Sequence, residues 1–384
     1  MKKKALPLWF VAALAWFGYH CGAGFASGRQ VWLYAAQFGG IGLVAPFIIW
    51  IACTIFMFIA AEYARLTRAK SYREMVSIYY DHPTVNKVAL FLWDILVAMA
   101  SITVCSSCTA GTGSLLNDVF GLPYLLGCII FVVFMACILT FGQGILERVG
   151  KFGIPLIIVF FVVCFCAIIK QGDKIPAAMA MEPVATISTW EFIKKCFIYA
   201  ITQTSFFQAL AAMAGRFSDR TETIKFSVAG LLMNMLAMIA SYLGLMAYYP
   251  GCGESTIPMF GIVSTFGGVG GVILMVCYNF ILIMAYITTV GGAIAGAQNR
   301  YVPLLTKKIK SVRICRVIVV IVFMVGAYIL SNLGLDGILT TINTINSTCR
   351  FPVWFLPFLI LGPISIARLR KKEKSGDLPP VQDA

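Results

Sequence analysis

Residues 20–30 read HCGAGFASGRQ and separate two strongly apolar runs. Glycine costs about 1 kcal/mol relative to alanine inside a helix, so Gly22, Gly24 and Gly28 predict an unwound segment here. In hydrocarbon, unwound backbone leaves N–H and C=O groups without partners, so such a segment must line a cavity or be buried in protein. The segment therefore predicts a binding site, where the N–H groups of a half-helix starting near Ser27 attract an anion such as a substrate carboxylate.

The side chains of this segment are small, which lets a ligand reach the backbone. The carbonyl groups that end the first half-helix are oxygen donors suited to a cation. The alternative interpretation is a packing seam against another helix, since Gly24 and Gly28 form a GxxxG pair. The residues predicted to contact substrate are Gly22, Ala23, Gly24, Phe25, Ala26 and Ser27.

A second polar group, TQTSFFQ at residues 202–208, lies at the centre of another apolar stretch. Polar side chains at mid-membrane depth are costly unless they face a cavity or one another. We predict a second, partly unwound helix that lines the same site; the alternative is a hydrogen-bonded seam between helices. The substrate residues predicted here are Gln203, Thr204, Ser205, Phe206 and Phe207.

Few other residues of the chain could do chemistry. Asp94, in the apolar sequence FLWDILVAMAS, is a candidate proton carrier, and its other interpretation is an ion pair with a loop arginine. The two histidines, His20 and His82, have no Ser, Cys or carboxylate at the spacing of a catalytic triad or a metal site. The sequence therefore predicts no enzyme, no catalytic residue and no cofactor other than a coupling ion.

Membrane-spanning helices must position these residues. Apolar side chains make up 60% of the 384 residues and charged ones only 12%, whereas soluble domains carry roughly 25%. A spanning helix needs about 20 mostly apolar residues. Ten such spans are predicted, at 6–38 (broken), 41–64, 86–116, 121–141, 151–170, 191–215 (broken), 223–249, 267–298, 313–332 and 336–367.

The net charge of +14 is a topology signal rather than a sign of nucleic-acid binding. If the amino terminus is cytoplasmic, the basic residues collect in the inner segments, as the positive-inside rule requires. The outer segments then hold only Lys170, Lys174, Lys194 and Lys195. We therefore expect a multi-pass protein of the cell membrane with both termini in the cytoplasm.

The order GAGFASG followed by AAQFGG, together with AYITTVGG in the eighth span, resembles the LeuT-type amino acid–polyamine–organocation transporters. Among them it is most similar to the bacterial YkvI-like membrane proteins. The resemblance implies an all-α fold of ten spans in a five-plus-five inverted repeat, with helices 1 and 6 discontinuous. The halves would be residues 1–170 and 191–367, joined by an extracellular loop at 171–190 and followed by a disordered cytoplasmic tail at 368–384.

The resemblance also implies ion and gate residues. A sodium ion would be held by the hydroxyl groups of Thr288 and Thr289 and by backbone carbonyls near His20 and Ala23. An outer gate would pair Arg29 with Asp336. The other interpretations are that the threonines bond to carbonyls of their own helix, that Arg29 extends alone toward the interface, and that Asp336 caps a helix.

The function expected is secondary active transport of a small solute, most simply an amino acid or related zwitterion or amine, coupled to sodium. The alternatives are a proton-coupled transporter and a receptor that binds a small solute on the same scaffold. The third span reads AMASITVCSSC, where neurotransmitter-type relatives have a substrate-binding tyrosine. This departure makes the identity of the solute an open question.

Overall fold

The structure, a computed structural model, describes residues 6–79, 82–141 and 153–375. Within these ranges long apolar helices follow one another through short loops. The predictions that concern residues 1–5, 80–81, 142–152 and 376–384 lie outside the described residues. They include the basic residues Lys2, Lys3, Lys4, Arg148 and Lys151 and most of the predicted tail.

The helices before residue 172 form the first group. They are α1 (Leu8–His20), α2 (Ala23–Ala26), α3 (Arg29–Tyr34), a 3₁₀ segment (Ala36–Val44), α4 (Ala45–Thr67), α5 (Tyr72–Tyr79), α6 (Pro83–Phe120), α7 (Tyr124–Phe141) and α8 (Gly153–Gln171). The first predicted span is thus interrupted three times, at residues 21–22, 27–28 and 35, and the others in this group agree with the predicted boundaries to within a few residues.

The second group begins with a connecting segment. It comprises a 3₁₀ turn (Gly172–Lys174), α9 (Ile175–Ala180), α10 (Thr189–Gln203), a 3₁₀ turn (Thr204–Phe206), α11 (Phe207–Ala214), α12 (Arg220–Met246), a 3₁₀ turn (Gly251–Glu254), α13 (Pro258–Ser264), α14 (Gly268–Leu305) and α15 (Val312–Ser331). The last stretch comprises α16 (Gly334–Gly337), a π segment (Ile338–Ile342), α17 (Asn343–Arg350), a second π segment (Phe351–Phe355) and α18 (Leu356–Ser375).

Seven helical stretches of the described residues are long and apolar enough to cross a membrane. The shorter apolar helices include Leu8–His20 and Tyr124–Thr140. Large aliphatic side chains such as Ile169 and Val269, which are 84% and 79% exposed, suit a surface that faces lipid. The chain is therefore a helical membrane protein, as its composition predicts.

A buried ionic network ties the last helix to the body of the protein. Glu62 and Arg65 are fully buried on α4, and Arg65 Nε donates to Glu62 Oε2 at 2.9 Å. Glu373 accepts from Arg65 Nη1 at 2.5 Å, and Arg370 Nη2 donates to Glu62 Oε1 at 3.0 Å. Thr223 of α12 donates to the same glutamate at 3.0 Å. Each buried charge thus has an opposite partner, which offsets its desolvation.

Helices α1 and α12 pack closely because α12 has a glycine at the contact. A Cβ added at Gly230 would lie 2.2 Å from Cε3 of Trp16. Trp16 is fully buried and packs edge-on against Trp50, with ring centroids 6.1 Å apart. The indole therefore has no room to move aside.

We expect Gly230→Ala to destabilise the protein by about 1–3 kcal/mol, because the added methyl group overpacks the core. Gly292→Ala is the matched control, since a Cβ there would meet no atom within 4 Å. The measurement is thermal unfolding of the detergent-purified protein. An equal melting temperature in both variants would contradict the close packing of α1 on α12.

Candidate functional site

Three carbonyl groups freed by the break in the first helix accept hydrogen bonds from protein donors. Ser27 Oγ donates to the Gly24 carbonyl at 3.1 Å, and Tyr278 Oη of α14 donates to the Ala26 carbonyl at 2.9 Å. The Ser27 carbonyl accepts from Met259 N at 3.0 Å. These contacts provide the hydrogen bonds that an interrupted helix needs in hydrocarbon.

Gly28 divides the outer half of the first helix into two short pieces. Its φ is +80°, a left-handed conformation, and a Cβ there would lie 2.8 Å from Cγ of Met259. The half-helix predicted to start near Ser27 therefore consists of α2, with four residues, and α3, with six. Helices this short carry a weaker aligned dipole than one continuous half-helix would.

The second broken helix turns through a single 3₁₀ step. Thr204 Oγ1 donates to the Ile201 carbonyl at 2.6 Å and accepts from Trp354 Nε1 at 3.0 Å. Ser205 Oγ donates to the Thr202 carbonyl at 2.7 Å. The interruption predicted in this span is thus limited to this 3₁₀ turn, whose hydroxyl groups donate to carbonyls of the preceding turn.

The two interruptions meet around a central cavity of about 60 Å³. The wall combines small residues of the first break with polar side chains from the second break, α6, α14 and α17. It is formed by Tyr19, His20, Gly22, Ala23, Gly24, Gln30, Ala100, Thr103, Val104, Ser107, Cys108, Thr202, Gln203, Ser205, Thr289, Leu339, Asn343 and Arg350. The cavity is therefore small, and its wall mixes polar with apolar groups.

The structure places only some of the predicted substrate residues at this cavity. Those on its wall are Gly22, Ala23, Gly24, Gln203 and Ser205. Of the rest, Thr204 bonds to Trp354, Phe207 packs in an aromatic cluster with Trp93 and Phe358, and Phe25 packs on His20 with ring centroids 4.0 Å apart. Ala26 and Ser27 hold the break through their carbonyl groups.

A second space of about 920 Å³ adjoins the central cavity. Tyr19, Ser205 and Thr289 line both spaces. The larger space runs between α1, α6, α11 and α14 toward Lys70, Arg73 and Arg300, on the side predicted to be cytoplasmic. Phe206, which packs on Tyr19 with ring centroids 5.8 Å apart, lies on its wall. We call this space the vestibule.

On the side of the protein predicted to be extracellular, Arg29 and Asp336 form an ion pair. Arg29 Nε donates to Asp336 Oδ1 at 2.6 Å, and Arg29 Nη2 donates to Oδ2 at 2.5 Å. Arg29 Nη1 also donates to the carbonyls of Gly253 and Ser255, at 2.6 and 3.1 Å. The two residues predicted to meet as a gate therefore do pair, in the bidentate geometry that arginine and carboxylate favour.

Solved structures with this arrangement identify the architecture. An inward-facing structure of Mhp1 matches with a TM-score of 0.63 at 12% identity, over 97% of this chain and 95% of that one. MhsT in complex with L-phenylalanine matches with a TM-score of 0.61 at 13% identity, over 96% of this chain and 98% of that one. A mutant of the Eremococcus coleocola manganese transporter matches with a TM-score of 0.58 at 15% identity, over 97% of this chain and 88% of that one.

The chain has the LeuT-type fold. The curated "Uncharacterized membrane protein YkvI" of Bacillus subtilis (strain 168) is 24% identical over 334 residues, which are 86% of this chain and 89% of that protein. No family model matches the chain. The resemblance to YkvI and to LeuT-type proteins predicted from the sequence is thus confirmed. Among the similar solved structures, those named for their function are transporters, which agrees with the expectation that the chain is not an enzyme.

Within this LeuT-type fold, the predicted ion residues flank the first break. A Cβ on Gly22 would lie 3.4 Å from Cγ2 and 3.7 Å from Oγ1 of Thr289, so this threonine faces the unwound segment. Thr288 Oγ1 donates to the carbonyls of Met284 and Ala285, both at 3.0 Å. A hydroxyl oxygen that donates one bond can still accept a cation on its lone pairs.

The side chain of His20 has a structural role. Its Nδ1 lies 2.9 Å from Asn234 Oδ1, and its Nε2 lies 2.9 Å from Tyr199 Oη. The ring also packs edge-on against Trp50, with centroids 4.3 Å apart. Because both ring nitrogens have partners, the imidazole fixes the end of α1 instead of reaching a ligand.

Asp94 is the centre of an ionic cluster beside the vestibule. It accepts hydrogen bonds from Tyr72 Oη at 2.7 Å, from Arg73 Nη1 and from Arg300 Nη2 at 2.6 Å. Burial raises the pKa of Tyr72, and the neighbouring carboxylate raises it further, so the phenol stays a donor. Of the two interpretations of Asp94, the ion pair is therefore present, but with arginines of α5 and α14 instead of a loop arginine.

Sequence reasoning missed Arg350, which lies on the wall of the central cavity and is 2% exposed. The signal was available, because NSTCRFPVW places an arginine inside the last predicted span. An ionisable residue within a span is by itself an indication of function.

We expect Asp94→Asn to destabilise the protein by about 3 kcal/mol, because it leaves two arginines without their shared carboxylate. Asp173→Asn, an exposed aspartate in a 3₁₀ turn, is the control for loss of one carboxylate. The measurement is thermal unfolding at neutral pH. If Asp94→Asn unfolds like the wild type while altering only the pH dependence of uptake, Asp94 is a proton carrier and its structural role is refuted.

Proposed function

We propose that the chain is a secondary active transporter that moves a small solute by alternating access. The observation that carries this proposal is the arrangement of the two broken helices. They meet around a small cavity that adjoins a vestibule, and Arg29 pairs with Asp336 on the side predicted to be extracellular. A single central site exposed to one side at a time is what alternating access requires.

This proposal includes the finer predictions made from the sequence. The chain would cross the cell membrane ten times, as two inverted five-helix halves at residues 1–170 and 191–367, with both termini in the cytoplasm. The vestibule would then open to the cytoplasm, and the conformation would be inward-facing. Its similarity to the inward-facing structure of Mhp1 supports this assignment.

We propose a small organic solute, an amino acid or a related compound, as the substrate. MhsT, which has a similar fold, is described in complex with L-phenylalanine. The manganese transporter has the fold too, but the described part of this chain holds no group of three His, Cys, Asp or Glu residues that could bind a metal ion. The cavity wall carries mainly hydroxyl and amide groups with one guanidinium and one thiol, and both nitrogens of its imidazole, His20, already have partners, so it suits an organic ligand better than a transition metal.

The decisive experiment is uptake by purified protein in proteoliposomes, with amino acids, amines and carboxylates as radiolabelled solutes. Saturable accumulation driven by an imposed ion gradient would establish transport. Solutes that stabilise the protein in a thermal-shift assay but never accumulate would instead make it a receptor, and a lack of response to all of them would refute the proposal for these solute classes.

Sodium is the proposed coupling ion, held at the first break by Thr289 and Thr288. We expect solute-dependent stabilisation to require sodium rather than potassium in the wild type and to lose that requirement in Thr289→Val and in Thr288→Val. Thr306→Val is the control, since this hydroxyl donates to the Pro303 carbonyl at the end of α14. Wild-type stabilisation that is equal in sodium and potassium would refute sodium coupling.

The ion pair of Arg29 and Asp336 is the proposed outer gate. Arg29→Gln removes four hydrogen bonds that join α3 to residues 253–255 and 336, whereas Asp336→Asn leaves the two bonds to backbone carbonyls intact. We therefore expect faster amide hydrogen exchange in residues 251–258 of Arg29→Gln, and a smaller increase in Asp336→Asn. Exchange of this segment at the wild-type rate in Arg29→Gln would contradict the gate.

A further inference from the structure

Arg350 is a buried cation with little to neutralise it. It is 2% exposed and lies at the end of α17, between the π segments Ile338–Ile342 and Phe351–Phe355. Both of its hydrogen bonds come from Nη1, at 2.7 Å to Ser205 Oγ and at 3.4 Å to the Thr202 carbonyl. Its Nε is buried and has no hydrogen-bond partner among the described residues.

Arg65, the other fully buried arginine among the described residues, has a different environment. Arg65 has two glutamates within 3.0 Å, Glu62 and Glu373. No carboxylate of the described residues forms an ion pair with Arg350, and the ring of Trp354 lies 5.1 Å from its guanidinium carbon. Because an isolated buried charge is strongly disfavoured, the missing counter-charge requires an explanation.

Helix geometry supplies only part of that counter-charge. The Thr202 carbonyl lies at the end of α10, where the helix dipole is equivalent to roughly half a negative elementary charge. Trp354 contributes a cation–π contact. Neither provides the full negative charge of an anion or accepts a hydrogen bond from the unpaired Nε.

The route to Arg350 is positively charged. The guanidinium lies on the wall of the central cavity, next to Ser205, which also lines the vestibule. The vestibule wall holds Lys70, Arg73 and Arg300, and Asp94 beside it pairs with both arginines, which leaves a net excess of positive charge. A passage lined by one sign of charge concentrates ligands of the opposite sign.

We propose that Arg350 binds the anionic group of the transported solute, and that this solute is a small organic carboxylate with a net negative charge. This inference rests on the proposed transport function and deepens it. A guanidinium group with free N–H donors forms short, bidentate hydrogen bonds to a carboxylate. The fixed cation of the site is thus a side chain of α17, whereas the sequence analysis assigned the carboxylate to N–H groups of the first break.

The experiment measures binding by thermal shift with matched pairs of solutes. Glutamate is compared with glutamine, and succinate with succinamide, while inorganic phosphate separates carboxylates from anions in general. The proteins are the wild type, Arg350→Gln, Arg350→Lys and the control Lys170→Gln, which removes a positive charge far from the cavity. Uptake in proteoliposomes is measured with the same solutes.

For the wild type and Lys170→Gln we expect the acidic member of each pair to bind and its amide to bind at least about 30-fold more weakly. Arg350→Gln should abolish this preference, so that acid and amide bind equally weakly. Arg350→Lys should retain the preference with lower affinity, because an ammonium group keeps the positive charge but cannot form the bidentate hydrogen bonds of a guanidinium group. A lower melting temperature of ligand-free Arg350→Gln alone would not produce these ratios.

Three results would overturn the inference. They are tighter binding of neutral or cationic solutes than of acids in the wild type, an unchanged acid preference in Arg350→Gln, and a response to phosphate without any response to carboxylates. If neutral solutes accumulate in proteoliposomes while acids do not, transport stands and only the role of Arg350 fails. If acids bind but no solute accumulates, transport fails and the anion site stands.

Discussion

The structure depends on one constraint, which is that every backbone group freed by a helix break must find a partner where there is no water. At the first break this partner is Ser27 for one carbonyl, Tyr278 for another and the Met259 amide for a third. Two of these donors belong to α13 and α14, so the break exists only when the second half of the chain packs against it. The central cavity is therefore a product of tertiary packing as much as of glycine.

The same constraint explains how far sequence reasoning reached. Glycines at 22, 24 and 28 and the polar run at 202–208 revealed both breaks, because in a span such residues have a cost that only a cavity or a partner offsets. Hydropathy alone was enough to locate the long helices: α6 covers the predicted span 86–116, and α14 covers nearly all of the predicted span 267–298. Pairing of Arg29 with Asp336 could be proposed only through the family resemblance.

The sequence could not show which way individual side chains point. Thr204 and Phe207 face away from the cavity because a 3₁₀ turn rotates them out of the 3.6-residue period. Arg350 was overlooked because one basic residue barely alters the mean hydropathy of a long apolar stretch, and two π segments determine where it points. Asp94 was recognised, but its two arginines come from α5 and α14, far apart in sequence.

The ionic network around Glu62 and Arg65 has a consequence for biosynthesis. Arg370 and Glu373, which neutralise this pair on α4, are made about 300 residues later, after every other helix described here. Until the ribosome has released them, α4 carries a glutamate and an arginine whose outward partners do not yet exist. The ion pairs of α4 with Arg370 and Glu373 therefore form only after the last helix described here has been made, so the packing around Glu62 and Arg65 is among the last to be completed.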